Sequence, residues 1–148
     1  MTDLGDNIHA TAIVVDGTGL IFVGPSGAGK SSLAFDCMAE ARLSGKSAAL
    51  ISDDRVIVSR RDDQIIGRGP ASIRGLLELR HSGIVRMQWV EQAPLHYAIV
   101  PVASAEADRL PPEHEQLEVT TSIHLPVIRV PLSVRFPLSH IFALIQSV

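Results

Sequence analysis

The sequence predicts an α/β domain built on a mixed sheet, and two local patterns predict it. The first is GPSGAGKSS (Gly24 to Ser32), which fits G-x-x-x-x-G-K-[ST] and directly follows the apolar run LIFV (Leu20 to Val23). Strand, glycine-rich loop and helix are thereby expected in succession. The second is AIVV (Ala12 to Val15), then DGTG (Asp16 to Gly19), then LIFV. Two β-rich runs around an Asp-Gly turn predict an antiparallel hairpin that leads into the loop. In a doubly wound sheet the strand before such a loop has parallel neighbours reached through helices, so the hairpin predicts strands of mixed direction.

The remaining elements follow in order. SSLAFDCMAEARL (Ser31 to Leu43) spaces Leu33, Phe35, Cys37, Met38, Ala41 and Leu43 as a helix buried over much of its surface, and Ser44-Gly45-Lys46 stops it. SAALIS (Ser47 to Ser52) is a short apolar strand ending at Asp53-Asp54. RVIVSRR, the turn DDQ and IIGRG predict a second hairpin, and ASIRGLLELRHSG a short helix closed by glycine. Strands are expected at IVRMQWV, at LHYAIVPVA and within VTTSIHLPVIRVPLSV; Ala105 to Glu118, with Pro111-Pro112, is expected to be a loop. Pro137 opens a closing helix, LSHIFALIQSV.

With 148 residues, 46% of them hydrophobic, the chain is expected to form one domain, 1–148. MTDLGDNIHATA has no basic segment followed by an apolar one, and no run reaches membrane-spanning length, so a cytoplasmic protein is expected. Cys37 is the single cysteine, expected as a small buried hydrophobe, and excludes an intrachain disulfide. The net charge of −3 argues against nucleic-acid binding. Between Arg55 and Arg86, however, seven arginines stand against three acids. Arginine suits bidentate contacts to phosphate or carboxylate, and such a surplus can guide docking.

The loop sets the chemistry. Gly24, Gly27 and Gly29 permit backbone conformations in which successive N–H groups turn toward an anion, and the helix N-terminus adds its dipole. Lys30 supplies a point charge for the β- and γ-phosphates of a nucleotide and Ser31 a hydroxyl for Mg²⁺. Phosphoryl transfer also needs a group that orients or deprotonates the acceptor. Asp53 and Asp54 follow an apolar strand, whose carboxyl end lines the ligand crevice in open α/β sheets. Neighbouring side chains on extended backbone point oppositely. One carboxylate can therefore hold metal-bound water while the other accepts a hydroxyl proton, and the pattern does not say which does which. Glu78 and Arg80 in LLELR offer a metal contact and a phosphate clamp, or an ordinary helix surface. His81, His96, His114, His124 and His140 share no metal-ligand spacing.

IHATAIVVDGTGLIFVGPSGAGKS, LISDDRVIV, IIGRGPASIRGLLELRHSGIV and VIRVPL, in that order, resemble the catalytic domain of HPr kinase/phosphorylase. The resemblance runs from about Ile8 to the end of the chain, in a short form confined to the catalytic C-terminal domain. It implies a P-loop kinase fold similar to phosphoenolpyruvate carboxykinase, with the hairpin ahead of the loop. It implies an enzyme that uses ATP and Mg²⁺ to phosphorylate a serine of the phosphocarrier HPr, that can reverse this by phosphorolysis, and that assembles as a homo-oligomer, commonly a hexamer. By the same resemblance Gly24, Pro25, Ser26, Gly27, Ala28, Gly29, Lys30 and Ser31 hold the nucleotide phosphates. Asp54 is the base and His9 its support, with Asp53 and Lys30 beside them. Glu78 joins Ser31 as a metal contact, and Arg109 is a catalytic arginine. Departures are present: Pro25 stands where the family has Asp, Ser32 where it has an acid, and His81 where it has glycine. The residues alone also allow a small-molecule kinase or a nucleotide-sensing module without turnover.

Overall fold

The computed structural model describes residues 5–103 and 109–147. Among the described residues twelve strands and two α-helices form three layers. The strands are β1 (Asp6–Ile8), β2 (Thr11–Val15), β3 (Thr18–Phe22), β4 (Ala48–Ser52), β5 (Val56–Arg61), β6 (Gln64–Arg68), β7 (Leu76–Leu79), β8 (Gly83–Arg86), β9 (Gln92–Pro94), β10 (Tyr97–Val102), β11 (Gln116–Thr120) and β12 (Ile123–Pro131). The helices are α1 (Lys30–Leu43) and α2 (Pro137–Gln146).

The central sheet has six strands in the order β11-β12-β10-β3-β2-β4. β10 runs parallel to β3 and β12, whereas β2 is antiparallel to both β3 and β4. β3 and β4 therefore run the same way with one reversed strand between them. The glycine loop after β3 and the aspartates after β4 leave the sheet at the same end, and β2 begins there. This is the mixed sheet that the Asp-Gly hairpin predicted.

Alternation along the strands divides the interior in two. Ile13, Val15, Leu20, Phe22 and Leu50 face α1 and α2, against Leu33, Cys37, Met38, Leu138 and Ile141. Ala12, Ile21 and Ile51 face a four-stranded sheet, β1-β5-β6-β9, against Val56, Val58 and Leu95. Full burial of each large aliphatic or aromatic side chain is worth roughly 1.5–3 kcal/mol.

α1 buries Leu33, Ala34, Cys37, Met38 and Ala41, a repeat that keeps one face on the sheet. Its end is a Schellman turn: Gly45, at φ +80°, donates its N–H to Arg42 O, and Lys46 donates to Ala41 O at 2.8 Å. α2 begins at Pro137, as predicted, and its N-terminus is capped from α1. Glu40 accepts from the N–H groups of Leu138 (2.9 Å) and Ser139 (2.8 Å) and from the Ser139 hydroxyl.

The segment ASIRGLLELRHSG departs from expectation. Only Ala71–Ile73 is helical, as a single 3₁₀ turn; Leu76–Leu79 and Gly83–Arg86 instead pair as an antiparallel hairpin, β7-β8. Three successive polar or charged turn residues, Arg80-His81-Ser82, with His81 at φ +69°, reverse the chain where helical spacing alone suggested continuation. Glu78 and Arg80 thus belong to a ribbon beside the sheet end, not to a helix surface. The expected strand IVRMQWV is ordered as β8 only to Arg86; Gln88 to Val90 then line the open edge of β4, with Leu50 N–H to Gln88 O and Val90 N–H to Leu50 O both at 2.9 Å. Of the expected loop Ala105 to Glu118, residues 105–108 lie outside the described residues, and β11 already begins at Gln116.

Candidate active site

A cleft opens at the sheet end where β2 begins and β3 and β4 finish. It is lined by His9 and Thr11, by Ser26, Gly27, Gly29, Lys30, Ser31 and Ser32 of the loop and α1, by Asp54, and by Glu78, Leu79 and Arg80. Most of the residues singled out in the sequence therefore meet here.

The loop has the backbone its glycines predicted. Gly24, Gly27 and Gly29 take φ +149°, +84° and +97°, and Ala28 donates its N–H to Pro25 O at 3.1 Å. A Cβ on Gly29 would lie 2.9 Å from Leu132 Cδ2, so space as well as conformation asks for glycine there. Lys30 is 7% exposed, and its ammonium donates to Gly24 O (2.8 Å) and Pro25 O (2.9 Å). Burial lowers its pKa from the ordinary lysine value, while Asp54 and Asp53 push it back up. An anion bound in the loop would favour the charged form further.

The two aspartates part company after β4. In the pairing of β2 with β4, Ile13 faces Leu50 but Ala12 faces Ser52, so Ile51 is an extra residue, a β-bulge. Leu50 points to the helices, and without the bulge Ser52 would too, with Asp53 on the far side. The bulge shifts the alternation by one. Ser52 consequently turns toward the four-stranded sheet, its hydroxyl 2.9 Å from where a Cβ on Gly69 would stand. Asp53 turns to the helix side, beneath the loop.

There Asp53, 6% exposed, accepts three hydrogen bonds. Ser31 Oγ donates to its Oδ1 at 2.5 Å, Thr11 Oγ1 to the same oxygen at 2.8 Å, and the Glu78 N–H to its Oδ2 at 3.0 Å. Asp54 points the other way and is exposed. It sits at φ +71° at the centre of a three-residue turn closed by Arg55 N–H to Asp53 O at 2.8 Å, a γ-turn of the rarer, strained kind. Its Oδ1 lies 3.1 Å from His9 Nδ1. The chain order explains the meeting, since His9 precedes a strand that runs between β3 and β4 and starts at their exit.

Arg80, which the sequence left between a clamp and an ordinary surface residue, reaches over the loop. Its Nη1 lies 3.6 Å from the Cβ position of Gly27. Arg109, expected as a catalytic arginine, is exposed and is not among the residues that line the cleft; the arginine beside the loop is Arg80, which joins Lys30 there. Thr11 is the site residue that sequence reasoning missed; the signal was a lone hydroxyl in an otherwise apolar strand. Cys37 is buried in the core, where burial pushes its thiol pKa far up, consistent with a packing role.

Ser31 Oγ, the Asp53 carboxylate and the Glu78 carboxylate are hard oxygen donors of the kind Mg²⁺ prefers. Among the described residues no group of three or more His, Cys, Asp or Glu could hold a metal ion by itself. Such a donor set fits Mg²⁺ brought in with phosphate oxygens and water completing its shell. Among the described residues no helix is long and apolar enough to cross a membrane.

Known proteins match this chain in sequence and in fold. The family model described as the HPr serine kinase C-terminal domain matches residues 4–92. HPr kinase/phosphorylase of Pediococcus pentosaceus is 40% identical over 81 residues, 54% of this chain and 24% of that protein. The enzyme of the same description from Mycoplasmopsis pulmonis is 37% identical over 78 residues, 53% of this chain and 23% of its own. The chain thus spans about a quarter of the curated relatives it matches. A solved structure described as the HPr(Ser) kinase/phosphatase from Coxiella burnetii superposes with a TM-score of 0.74 over 96% of this chain and 95% of that one, at 24% identity, so the fold is shared.

Proposed function

The chain belongs to the HPr serine kinase C-terminal domain family, and from that premise we propose that it is an ATP- and Mg²⁺-dependent kinase whose acceptor is a serine of HPr. The observation that carries the reading is the divergence of the two aspartates. Asp53 faces the loop through Ser31, and Asp54 faces the open cleft with His9 beside it.

In this reading the backbone from Gly24 to Ser31 cradles the phosphates, and Lys30 leaves the Gly24 and Pro25 carbonyls to pair with them. Arg80 closes over the loop from the β7-β8 ribbon and offsets charge on the transferred group. Mg²⁺, when bound, neutralises phosphate charge and draws electrons from the γ-phosphorus. The acceptor hydroxyl lies against Asp54. As its oxygen forms a bond to the γ-phosphorus, the bond from phosphorus to the ADP oxygen breaks and the proton passes to the Asp54 carboxylate. His9 orients that carboxylate through Nδ1. In phosphorolysis the flow reverses: inorganic phosphate takes the phosphoryl group from the serine, leaves as pyrophosphate, and Asp54 returns the proton. Association of several copies into an oligomer is part of the same proposal.

The test is transfer of labelled phosphate from ATP and Mg²⁺ to purified HPr of the same organism, with Asp54→Asn alongside. Label on HPr with the native chain and none with the variant is expected. Nucleotide binding without label in either would overturn the kinase and favour a nucleotide-sensing module, a reading to which the Pro25, Ser32 and His81 departures already point.

A further inference from the structure

We infer that Thr11 is a positioning residue for metal binding, setting the Asp53 carboxylate so that the Ser31 hydroxyl presents its oxygen to Mg²⁺. This rests on the kinase reading of the same cleft and adds a residue to it.

Thr11 lies in β2 on the face shared by Ile13 and Val15, and it is fully buried. Packing gives no reason for a hydroxyl. Valine has the same branched shape and fits a strand equally well. Burying a hydroxyl is costly unless it is bonded. The hydroxyl donates to Asp53 Oδ1, itself buried.

The direction of these bonds matters. An ionised carboxylate only accepts, through about four lone-pair sites. Three are filled here, two on Oδ1 by Thr11 and Ser31 and one on Oδ2 by the Glu78 N–H. The Ser31 proton must therefore point at Asp53, which turns the lone pairs of Ser31 Oγ away from it, toward the loop. The remaining site on Oδ2 can take a metal-bound water. Without the Thr11 bond the carboxylate is held by Ser31 and the Glu78 N–H only, and it gains freedom to turn about its Cβ–Cγ axis. The register supports this placement, because Thr11 pairs with Phe22, the last residue before the loop strand ends, and the bulge brings Asp53 to the same face.

The experiment measures binding of a fluorescent ATP analogue as Mg²⁺ is titrated, and again with the metal chelated, for the native chain, Thr11→Val, Thr11→Ser and Thr11→Ala. In Thr11→Val the Mg²⁺ concentration for half-maximal effect is expected to rise about tenfold, the usual scale for losing a group behind a metal ligand. Metal-free affinity stays at the native value, Thr11→Ser stays near native, and Thr11→Ala matches Thr11→Val. An unchanged Mg²⁺ requirement in Thr11→Val and Thr11→Ala overturns the inference. So does an equal loss of affinity with and without metal, which would mark a purely structural role. Nucleotide binding by the native chain that ignores Mg²⁺ would overturn the kinase reading together with this one, and is recognised because it needs no variant.

Discussion

Ser31 Oγ lies 2.5 Å from Asp53 Oδ1, while the next carboxylate along the chain, Asp54, turns away to His9 at 3.1 Å. Substitution at the two positions should therefore fail differently. Asp54→Asn suits the left-handed backbone, which Asn tolerates. It should keep Mg²⁺-dependent nucleotide binding and lose transfer by about 10²- to 10⁴-fold, the range of a missing general base. Asp53→Asn must place its amide against at least one hydroxyl. The Glu78 N–H can only donate, so the Asn oxygen faces it and the NH₂ faces Ser31, whose oxygen must then accept. That lone pair is lost to a metal. Asp53→Asn should weaken Mg²⁺-dependent nucleotide binding itself. Calorimetric titration of both variants separates the cases, and equal nucleotide affinity in both would refute the division.

Gly29 meets two constraints, its φ of +97° and the 2.9 Å approach of Leu132 Cδ2 to a Cβ placed there. They predict different rescues. Leu132 is half-exposed and its tip can move aside, so the contact is the cheaper obstacle; the backbone conformation costs about 1–3 kcal/mol for a side-chain-bearing residue. Gly29→Ala should lower the melting temperature by several degrees and weaken nucleotide binding. Adding Leu132→Ala should recover little of either. Full recovery in the double variant would mean that space, not φ, selects glycine.

The loop, the hairpin before it and the aspartate pair were legible in the sequence because each is a local pattern with a local cause. Which aspartate faces the loop was not. Alternation counted from Leu50 would have put Asp53 on the wrong side, and the bulge at Ile51 that reverses the count arises from pairing with β2, which no local window contains. The helix expected over Ala71 to Gly83 failed for a related reason. Leu76, Leu77 and Leu79 fit helical spacing and strand spacing alike in so short a run. The pairing of Leu77 with Val85 and of Glu78 with Ile84 decided it. Arg80 gained its place over Gly27, and Glu78 its bond to Asp53, only through that ribbon.

The ribbon turn makes His81, which stands where the resemblance implies glycine, a testable position. His81 sits at φ +69° and is exposed, so no packing compensates the conformation. A left-handed backbone costs an L-residue about 1–2 kcal/mol. Glycine removes that cost and returns part of it through greater freedom in the unfolded chain, about 0.4–1 kcal/mol. His81→Gly should therefore stabilise by about 0.5–1 kcal/mol, read as a higher urea midpoint with unchanged slope. A lower midpoint would show that the imidazole makes a favourable contact outweighing the backbone strain.

Acid should loosen the opposite end of the sheet through Asp16. In the Asp-Gly turn of the hairpin, Asp16 Oδ1 accepts from Ser47 N–H at 2.9 Å and Ser47 Oγ at 3.0 Å, with Lys46 Nζ 3.9 Å from Oδ2. These bonds, the Ser47 N–H foremost, hold its carboxyl below the ordinary value of 3.8, against a small opposing effect of burial. A carboxyl depressed on folding stabilises the fold fully above its unfolded pKa and loses that contribution as the pH falls through its folded one. Asp16→Asn, which tolerates the φ of +47°, should thus be less stable than the native chain near neutral pH. The gap should close as the pH falls below 3.8. Urea unfolding of both proteins across that range measures it directly. Added salt should erode only the Lys46 share, because that exposed charge is screened while the Ser47 hydrogen bonds persist. A gap that stays constant or widens in acid would show that the carboxylate charge contributes nothing to this tie.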